Sequence, residues 1–308
     1  MGGFLWYNGF MDFKLTVICI WLAIAGAILF PCLNVNAENT LLSPEVFISS
    51  DKLLQADTLL IVVKNETNEI TGTFGLIKLR FFRDKRDKNW VAITGAAIDK
   101  KPGEYKLSIN VPGKAIFEKN ILVSKRDFPA TSLVVTKQLI QKGFTLKNIF
   151  TVPDKKSKEL AEILKIITAA SYVNKPFVYP MFGVKDVGSF GNIRKSKDYT
   201  AQHLGVDLDA LLNTPVFSVN DGKVVFADNI KNNGNTVAID HGLGVYSLYL
   251  HLNKFNVAEG QTVKLGDIVG LSGDTGYSIN PHLHFSIKMR GTSLDPLKFV
   301  QVTQGMAN

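Results

Sequence analysis

Residues 281–287 read Pro-His-Leu-His-Phe-Ser-Ile, a segment in which a strand pattern and reactive side chains coincide. Alternate residues of a β-strand share one face of the sheet. The prediction is therefore that His282 and His284 point to one side of a strand and Leu283 to the other. Two imidazoles on one face are a ready element of a metal site, although such a pair alone is weak evidence for one.

The remaining histidines lie nearby in the sequence, since all five fall between His203 and His284. A second segment begins at His203 and reads His-Leu-Gly-Val-Asp, ending at Asp207. Gly205 and the alternation after it favour a loop that enters a strand. Imidazole and carboxylate are both zinc ligands, so His203, Asp207 and one histidine of the His-x-His pair would give three ligands and leave a position for water. Such an ion would be a Lewis acid that lowers the pKa of the bound water.

A third segment, residues 245–252, reads Val-Tyr-Ser-Leu-Tyr-Leu-His-Leu and predicts a strand on which Tyr249 and His251 share a face. A histidine beside the metal, but not bound to it, could act as general base or stabilise an oxyanion. We assign this role to His251 and to whichever histidine of the pair does not bind zinc. Tyr249 is interpreted as packing or support, and His241 as a hydrogen-bonded structural residue.

The segments 203–207, 249–252 and 281–285 resemble, in the same order, the three signature elements of the M23 (lysostaphin/LytM-type) metallopeptidases. The resemblance extends from about Phe177 to Phe299. That family consists of zinc endopeptidases that cut peptide bonds in bacterial peptidoglycan. The resemblance implies a small antiparallel β catalytic domain here.

Position by position, the resemblance implies one Zn²⁺ per chain, with His203, Asp207 and His284 as its ligands. His282 then becomes a catalytic imidazole together with His251. In the family's mechanism the zinc polarises the scissile carbonyl and its water attacks. The two histidines assist proton transfer and stabilise the tetrahedral oxyanion.

Three residues differ from those usual in the family, namely Asn213, Asn280 and Ser286. We expect none of them to contact a ligand or a catalytic residue. Other mechanisms find no support, because the sequence has no His-Glu-x-x-His motif, no nucleophile elbow and no phosphate-binding loop.

Composition predicts a largely folded chain, with 308 residues of which 46% are hydrophobic and 20% charged. The formal net charge of +8 suits an anionic partner such as nucleic acid, a membrane surface or a cell-wall polymer without choosing among them. The resemblance selects peptidoglycan peptide crosslinks as the partner, and no nucleic acid.

Residues 1–37 are predicted to be a secretory signal peptide, with an uncleaved membrane anchor as the alternative. Residues 15–30 are apolar and uncharged, and Val35-Asn36-Ala37 follows as a cleavage site. The rest would be exported to the periplasm or cell envelope. It would then be either secreted or held at the inner membrane by residues 1–37, if these are not cleaved. No other contact with a membrane is expected. The two cysteines, Cys19 and Cys32, lie in the leader, so disulfides and cysteine ligands are excluded from the remainder.

The remainder is predicted to be mainly β and to have three parts. Residues 38–124 should form a small β-sandwich-like accessory domain, because 104–111 alternate strictly between polar and apolar. Residues 125–174 should be a connector with an amphipathic helix, and 175–308 the antiparallel β domain of M23 type. The helix is predicted from apolar residues at helical spacing, namely Leu160, Ile163, Leu164 and Ile167.

Two functions from different classes follow. The first is an exported zinc endopeptidase that remodels peptidoglycan, and a toxin that acts on the walls of other cells is a variant of it. The second is a non-catalytic scaffold of the same fold that binds the wall or activates another hydrolase. A scaffold would be expected to have lost ligands, whereas this chain keeps three ligands and both auxiliary histidines.

Overall fold

The structure is a computed structural model that describes residues 43–150 and 154–307. These residues belong to one compact unit. The predicted leader with its two cysteines, and the first residues of the accessory domain, lie outside the described residues. Within residues 43–150 and 154–307, no helix combines the length and the apolar character that crossing a bilayer requires.

The amino-terminal part of the described chain is a sandwich of two sheets, as predicted. Its strands are β1 (Glu45–Ile48), β2 (Lys52–Leu54), β3 (Thr58–Lys64), β4 (Thr71–Phe74), β5 (Ile77–Lys78), β6 (Phe81–Arg83), β7 (Trp90–Gly95), β8 (Gly103–Asn110) and β9 (Phe117–Ser124). One sheet has the order β1-β3-β7-β6 and the other β2-β9-β8-β4-β5. Apolar side chains from both sheets, such as Ile61 and Ile109, are buried between them and form one core.

The connector contains a short strand and three helices, namely β10 (Ala130–Ser132), α1 (Lys137–Gln141), α2 (Leu146–Phe150) and α3 (Lys155–Ile163). The predicted amphipathic helix is α3, and its Leu160 packs with Leu164 in a buried apolar cluster. Ile167 was expected on the same stripe, but it lies beyond the helix and is 43% exposed. The helix ends because the Lys165 N–H donates to the Glu162 carbonyl, a shorter turn than the α-helix makes.

The carboxyl-terminal part is built on antiparallel strands, as predicted. They are β11 (Asp186–Gly188), β12 (Ile193–Lys195), β13 (Thr200–Gln202), β14 (Val206–Asp209), β15 (Pro215–Phe217), β16 (Gly222–Ile230), β17 (Gly234–Asp240), β18 (Val245–Leu252), β19 (Lys254–Phe255), β20 (Thr262–Val263), β21 (Ile268–Leu271), β22 (His282–Met289) and β23 (Thr292–Leu294). Helix α4 (Pro296–Thr303) and a 3₁₀ turn (Gln304–Ala307) follow.

The order of the main sheet brings the three histidine-bearing segments together. It is β11-β14-β22-β18-β17-β16-β20, with β23 also paired to β22. In this sheet β22 lies between β14 and β18, so that His284 is directly opposite Asp207 on one side and Leu250 on the other. Residues far apart in sequence thus become neighbours on three adjacent strands. The mainly β fold class is confirmed.

His241 is buried at the end of β17 and is held by hydrogen bonds, in agreement with its interpretation as structural. Its Nδ1 donates to the Asp221 carbonyl at 2.8 Å, and its Nε2 lies 2.8 Å from Ser247 Oγ. Burial lowers the pKa of His241 to about 4, although the Asp221 carbonyl favours the charged ring. The fold therefore keeps this imidazole neutral.

This burial predicts a loss of stability in acid. Because the pKa of His241 falls from 6.5 in the unfolded chain to about 4 in the fold, the unfolded chain binds the proton first as the pH is lowered. The loss of unfolding free energy begins near pH 6.5 and reaches on the order of 3 kcal/mol below pH 4. His241→Gln should remove this component, seen as a shallower slope in urea unfolding between those pH values.

Ser247→Ala is the matched control, because it removes a partner of the ring but keeps the titratable group. It should retain the wild-type slope. Equal slopes for His241→Gln and the wild type would contradict the assignment.

Candidate metal centre

Three side-chain atoms of the predicted ligands form a small triangle. His203 Nε2 lies 3.0 Å from Asp207 Oδ1 and 3.0 Å from His284 Nδ1, and the last two atoms are 2.8 Å apart. Strand β14 carries Asp207 and β22 carries His284, while His203 lies in the loop before β14. All three residues are largely buried. Their spacing is that of side chains able to hold one metal ion.

In each of the two imidazoles, the hydrogen bond made by the nitrogen outside the triangle determines whether the nitrogen inside it carries a proton or a lone pair. His203 Nδ1 lies 3.1 Å from the Ser189 carbonyl, which can only accept, so that nitrogen carries the proton and Nε2 presents a lone pair. His284 Nε2 lies 3.0 Å from Ser286 Oγ, which can accept its proton and leave a lone pair on Nδ1. Two lone pairs and a carboxylate oxygen then converge. Either a proton or a cation must lie between them.

This donor set fits zinc. Imidazole nitrogen and carboxylate oxygen bind zinc at roughly 2.0–2.2 Å, which places the ligand atoms of a tetrahedral site about 3.3 Å apart. The separations of 2.8–3.0 Å found here are shorter by a few tenths of an ångström. Small outward movements of the rings would therefore complete a three-ligand site.

Asp207 is the charged member of the group. Burial opposes its ionisation, but the close contacts with the imidazoles of His203, His282 and His284 outweigh burial and hold the pKa of Asp207 far below its usual range. Arg194 Nη2 lies 3.3 Å from Asp207 Oδ2, which leaves Oδ1 for the triangle. Sequence reasoning missed Arg194, because it lies outside the three segments that carried the motif.

His282 and His251 lie beside the triangle. The Nε2 atom of His282 is 3.5 Å from Asp207 Oδ1, and its ring centroid is 4.9 Å from that of His251. His251 Nδ1 donates to the Thr275 carbonyl at 2.8 Å, and His282 Nδ1 donates to the Asn280 carbonyl at 2.8 Å. These bonds leave Nε2 of each ring as the basic atom. The structure thus brings all five predicted site residues together.

The predicted arrangement of Tyr249 and His251 on one face is wrong. Tyr249 lies in the core opposite Phe285, and its hydroxyl accepts from the Val219 N–H. His251 has a φ of 61°, and the pairing of β17 with β18 shifts register there. This β-bulge inserts one residue and turns His251 to the face that carries His282. A bulge breaks the two-residue period on which the prediction was based.

Two of the three residues that depart from the family's usual ones contact the site, against expectation. Ser286 Oγ is bonded to His284 Nε2, and the Asn280 carbonyl accepts from His282. Ser286 follows His284 by two residues on one strand, so the same alternation that paired the histidines could have found it. Asn213 instead accepts from the side-chain amide of Asn253.

Gly205 is required by close packing against the site. A Cβ atom there would lie 2.4 Å from His284 Nε2, 2.3 Å from Ser286 Oγ and 2.6 Å from the Phe285 carbonyl oxygen. No side chain fits without moving the His284 ring. The glycine between His203 and Asp207 thus allows the loop to bring both residues up to β22.

This packing predicts the effect of Gly205→Ala. The added methyl group should displace His284 and weaken zinc binding by about tenfold to a hundredfold, the usual range for groups that orient a ligand. Zinc affinity would be measured by competition with a chromophoric chelator, and folding by circular dichroism.

Gly305→Ala serves as the control. Gly305 lies in the 3₁₀ turn, and a Cβ atom there would approach a single side-chain atom, of Leu60 in β3, at 3.2 Å. It should bind zinc as the wild type does. Unchanged zinc affinity in a folded Gly205→Ala protein would contradict the packing argument.

Comparison with known proteins agrees with this geometry. The profile of peptidase family M23 matches residues 201–296, which contain all five site residues. The chain is 28% identical over 231 residues to an uncharacterized metalloprotease of Buchnera aphidicola subsp. Baizongia pistaciae. It is 42% identical over 98 residues to the peptidoglycan DD-endopeptidase ShyA of Vibrio cholerae, and 42% identical over 105 residues to the glycyl-glycine endopeptidase ALE-1 of Staphylococcus capitis.

These similarities differ in extent. The match covers 71% of this chain and 60% of the Buchnera protein. It covers 32% of this chain with each of the other two, and only 23% of ShyA and 29% of ALE-1. A crystal structure of a Pseudomonas aeruginosa protein assigned to peptidase M23 superposes on this chain with a TM-score of 0.53. The superposition covers 76% of this chain and 88% of that one, and the two sequences are 23% identical, so that it shows a shared fold. Residues 201–296 of this chain are therefore a domain of peptidase family M23.

Proposed function

We propose that this chain is an exported zinc endopeptidase that hydrolyses peptide bonds in the crosslinks of bacterial peptidoglycan. The observation that carries the proposal is the convergence of three acceptor atoms, from His203, Asp207 and His284, beside two further imidazoles whose Nδ1 atoms are bonded to backbone carbonyls. The relatives named as peptidoglycan and glycyl-glycine endopeptidases support this substrate class.

The three converging side chains would hold one Zn²⁺. Bound there, the ion would supply a Lewis acid that polarises a carbonyl and makes a water molecule more acidic. The carboxylate of Asp207 lowers the net charge of the site without cancelling that of the ion. Arg194 and Ser286 orient two of the ligands from outside, which fixes the ring and carboxylate positions before metal arrives.

His251 and His282 would move the protons. Each has its Nδ1 proton bonded to a backbone carbonyl, so the tautomer is fixed and Nε2 can accept a proton from the attacking water. Once protonated, the same atoms can donate to the tetrahedral oxyanion or to the leaving amine. The ring centroids are 4.9 Å apart, close enough for both to act on one peptide bond.

The destination of the protein follows from the predicted leader and from its charge. Export would bring the chain to its substrate in the periplasm or cell envelope, either secreted or held at the inner membrane. The formal net charge of +8 favours association with an anionic wall, and salt should weaken that attraction.

Two substitutions separate the proposed roles. His284→Ala should lose both zinc and cleavage, because it removes a ligand. His251→Ala should keep zinc and lose cleavage by about a hundredfold or more, the usual contribution of a general acid or base. Zinc would be counted by elemental analysis, and muropeptide release from isolated peptidoglycan followed by mass spectrometry, where product masses identify the bond.

His241→Gln is the control for the loss of an imidazole, since His241 lies outside the triangle and is bonded to Asp221 and Ser247. It should keep both zinc and cleavage. Wild-type cleavage by His284→Ala would refute the metal assignment. A zinc-loaded wild type that cleaves no peptidoglycan, whatever its crosslink, would refute the enzyme and favour a scaffold.

A further inference from the structure

One loop, residues 273–280, supplies the acceptors that orient both proposed catalytic histidines. The Thr275 carbonyl holds Nδ1 of His251, and the Asn280 carbonyl holds Nδ1 of His282, both at 2.8 Å. Ser278 Oγ lies 3.2 Å from the same atom of His282. A shift of this loop would turn both rings while leaving the three converging ligand atoms in place.

One flank of the loop rests on the hairpin between β16 and β17. The Tyr277 N–H donates to the Asn232 carbonyl at 2.8 Å. Gly276, with a φ of 73°, approaches so closely that a Cβ there would lie 2.3 Å from the Gly234 nitrogen. This side of the loop belongs to the peptidase domain itself.

The other flank is held by the connector, and one ammonium group makes three of the contacts. Lys142, at the end of α1, places Nζ 2.8 Å from the Asp274 carbonyl, 2.8 Å from Asp274 Oδ2 and 3.2 Å from the Ser278 carbonyl. Gln138, one turn earlier, donates to the Ile279 carbonyl at 2.9 Å. An ammonium has three donors, and all three find acceptors on this loop.

Apolar contacts support the same attachment. The rings of Phe144 and Tyr277 meet edge to face with centroids 5.6 Å apart. Phe144 and Leu139 are buried in the connector, although α1 has only five residues. The Tyr277 hydroxyl reaches the Val134 carbonyl at 3.2 Å. A short helix that buries side chains in this way is fixed by its packing rather than by its own hydrogen bonds.

We propose that Lys142 is a positioning residue for the site: by clamping residues 274–278 it fixes the orientation of the His251 and His282 rings. The connector is then part of the framework of the active site, rather than a spacer between two domains. The consequence for turnover rests on the proposed function, whereas the effect on the two rings does not. The ammonium of Lys142 contacts the loop and neither ring, so that it acts on the rings through the loop.

The test compares three lysine variants in the whole chain. Lys142→Met removes the clamp, Lys142→Arg keeps a cation of similar reach, and Lys137→Met removes the same charge from the exposed start of the same helix. Among the described residues, none is a hydrogen-bond or ion-pair partner of the Lys137 side chain, which is exposed. Gln138→Ala removes only the bond to Ile279 and should act in the same direction as Lys142→Met, but more weakly.

Lys142→Met should lower kcat on a soluble crosslinked muropeptide by about tenfold or more, as expected when the support of a reacting group is removed. The zinc content and KM should stay near those of the wild type. Lys142→Arg should restore most of the activity, and Lys137→Met should behave as the wild type does. Equal kcat values for the two methionine variants, or a higher kcat for Lys142→Met, would overturn the proposal.

A second readout is independent of cleavage. In ¹⁵N-histidine-labelled, zinc-loaded protein, Lys142→Met should shift the imidazole nitrogen resonances of His251 and His282 and leave those of His241 in place. If the wild type cleaves nothing, the proposed function fails while this measurement still decides the positioning role. Unchanged resonances of His251 and His282 would overturn it.

Discussion

Three acceptor atoms, Asp207 Oδ1, His203 Nε2 and His284 Nδ1, lie within 3.0 Å of one another. Their close approach is the constraint on which the rest of the site depends. Two imidazole nitrogens lie 2.8 and 3.0 Å from this oxygen, closer than acceptors remain without a proton or cation between them. The sheet brings them there, because β14 and β22 pair Asp207 directly with His284. Gly205 lets the preceding loop approach the same ring. The strand register and the loop before β14 thus bring the three ligand atoms together.

Each of the four imidazoles at the site is oriented by an oxygen from a different residue. Ser189 holds His203, Ser286 holds His284, Thr275 holds His251 and Asn280 holds His282. Three of these oxygens are backbone carbonyls, so their positions depend on loop conformation rather than on side-chain identity. The chemistry of the site is therefore sensitive to segments that carry no motif, including the connector that packs on residues 273–280.

Sequence patterns predicted the features that depend on local periodicity, such as which face of a strand a side chain occupies. The alternation in residues 281–287 correctly placed both histidines on one face and Leu283 in the core. The same periodicity failed at His251, since a bulge with a left-handed, non-glycine residue leaves no signal in the sequence. It failed again at Ile167, where a tighter turn ends α3 early. Contacts made through backbone carbonyls, such as Thr275 to His251, depend on tertiary packing and have no residue signature.

The claim that three converging acceptors form a metal centre is tested most directly by X-ray absorption at the zinc K-edge on the purified chain. The account predicts one zinc per chain, bound by two imidazole nitrogens and one carboxylate oxygen at about 2.0–2.2 Å, with a light-atom ligand in the remaining position. Absence of zinc after loading, or a coordination sphere without imidazole, would contradict it.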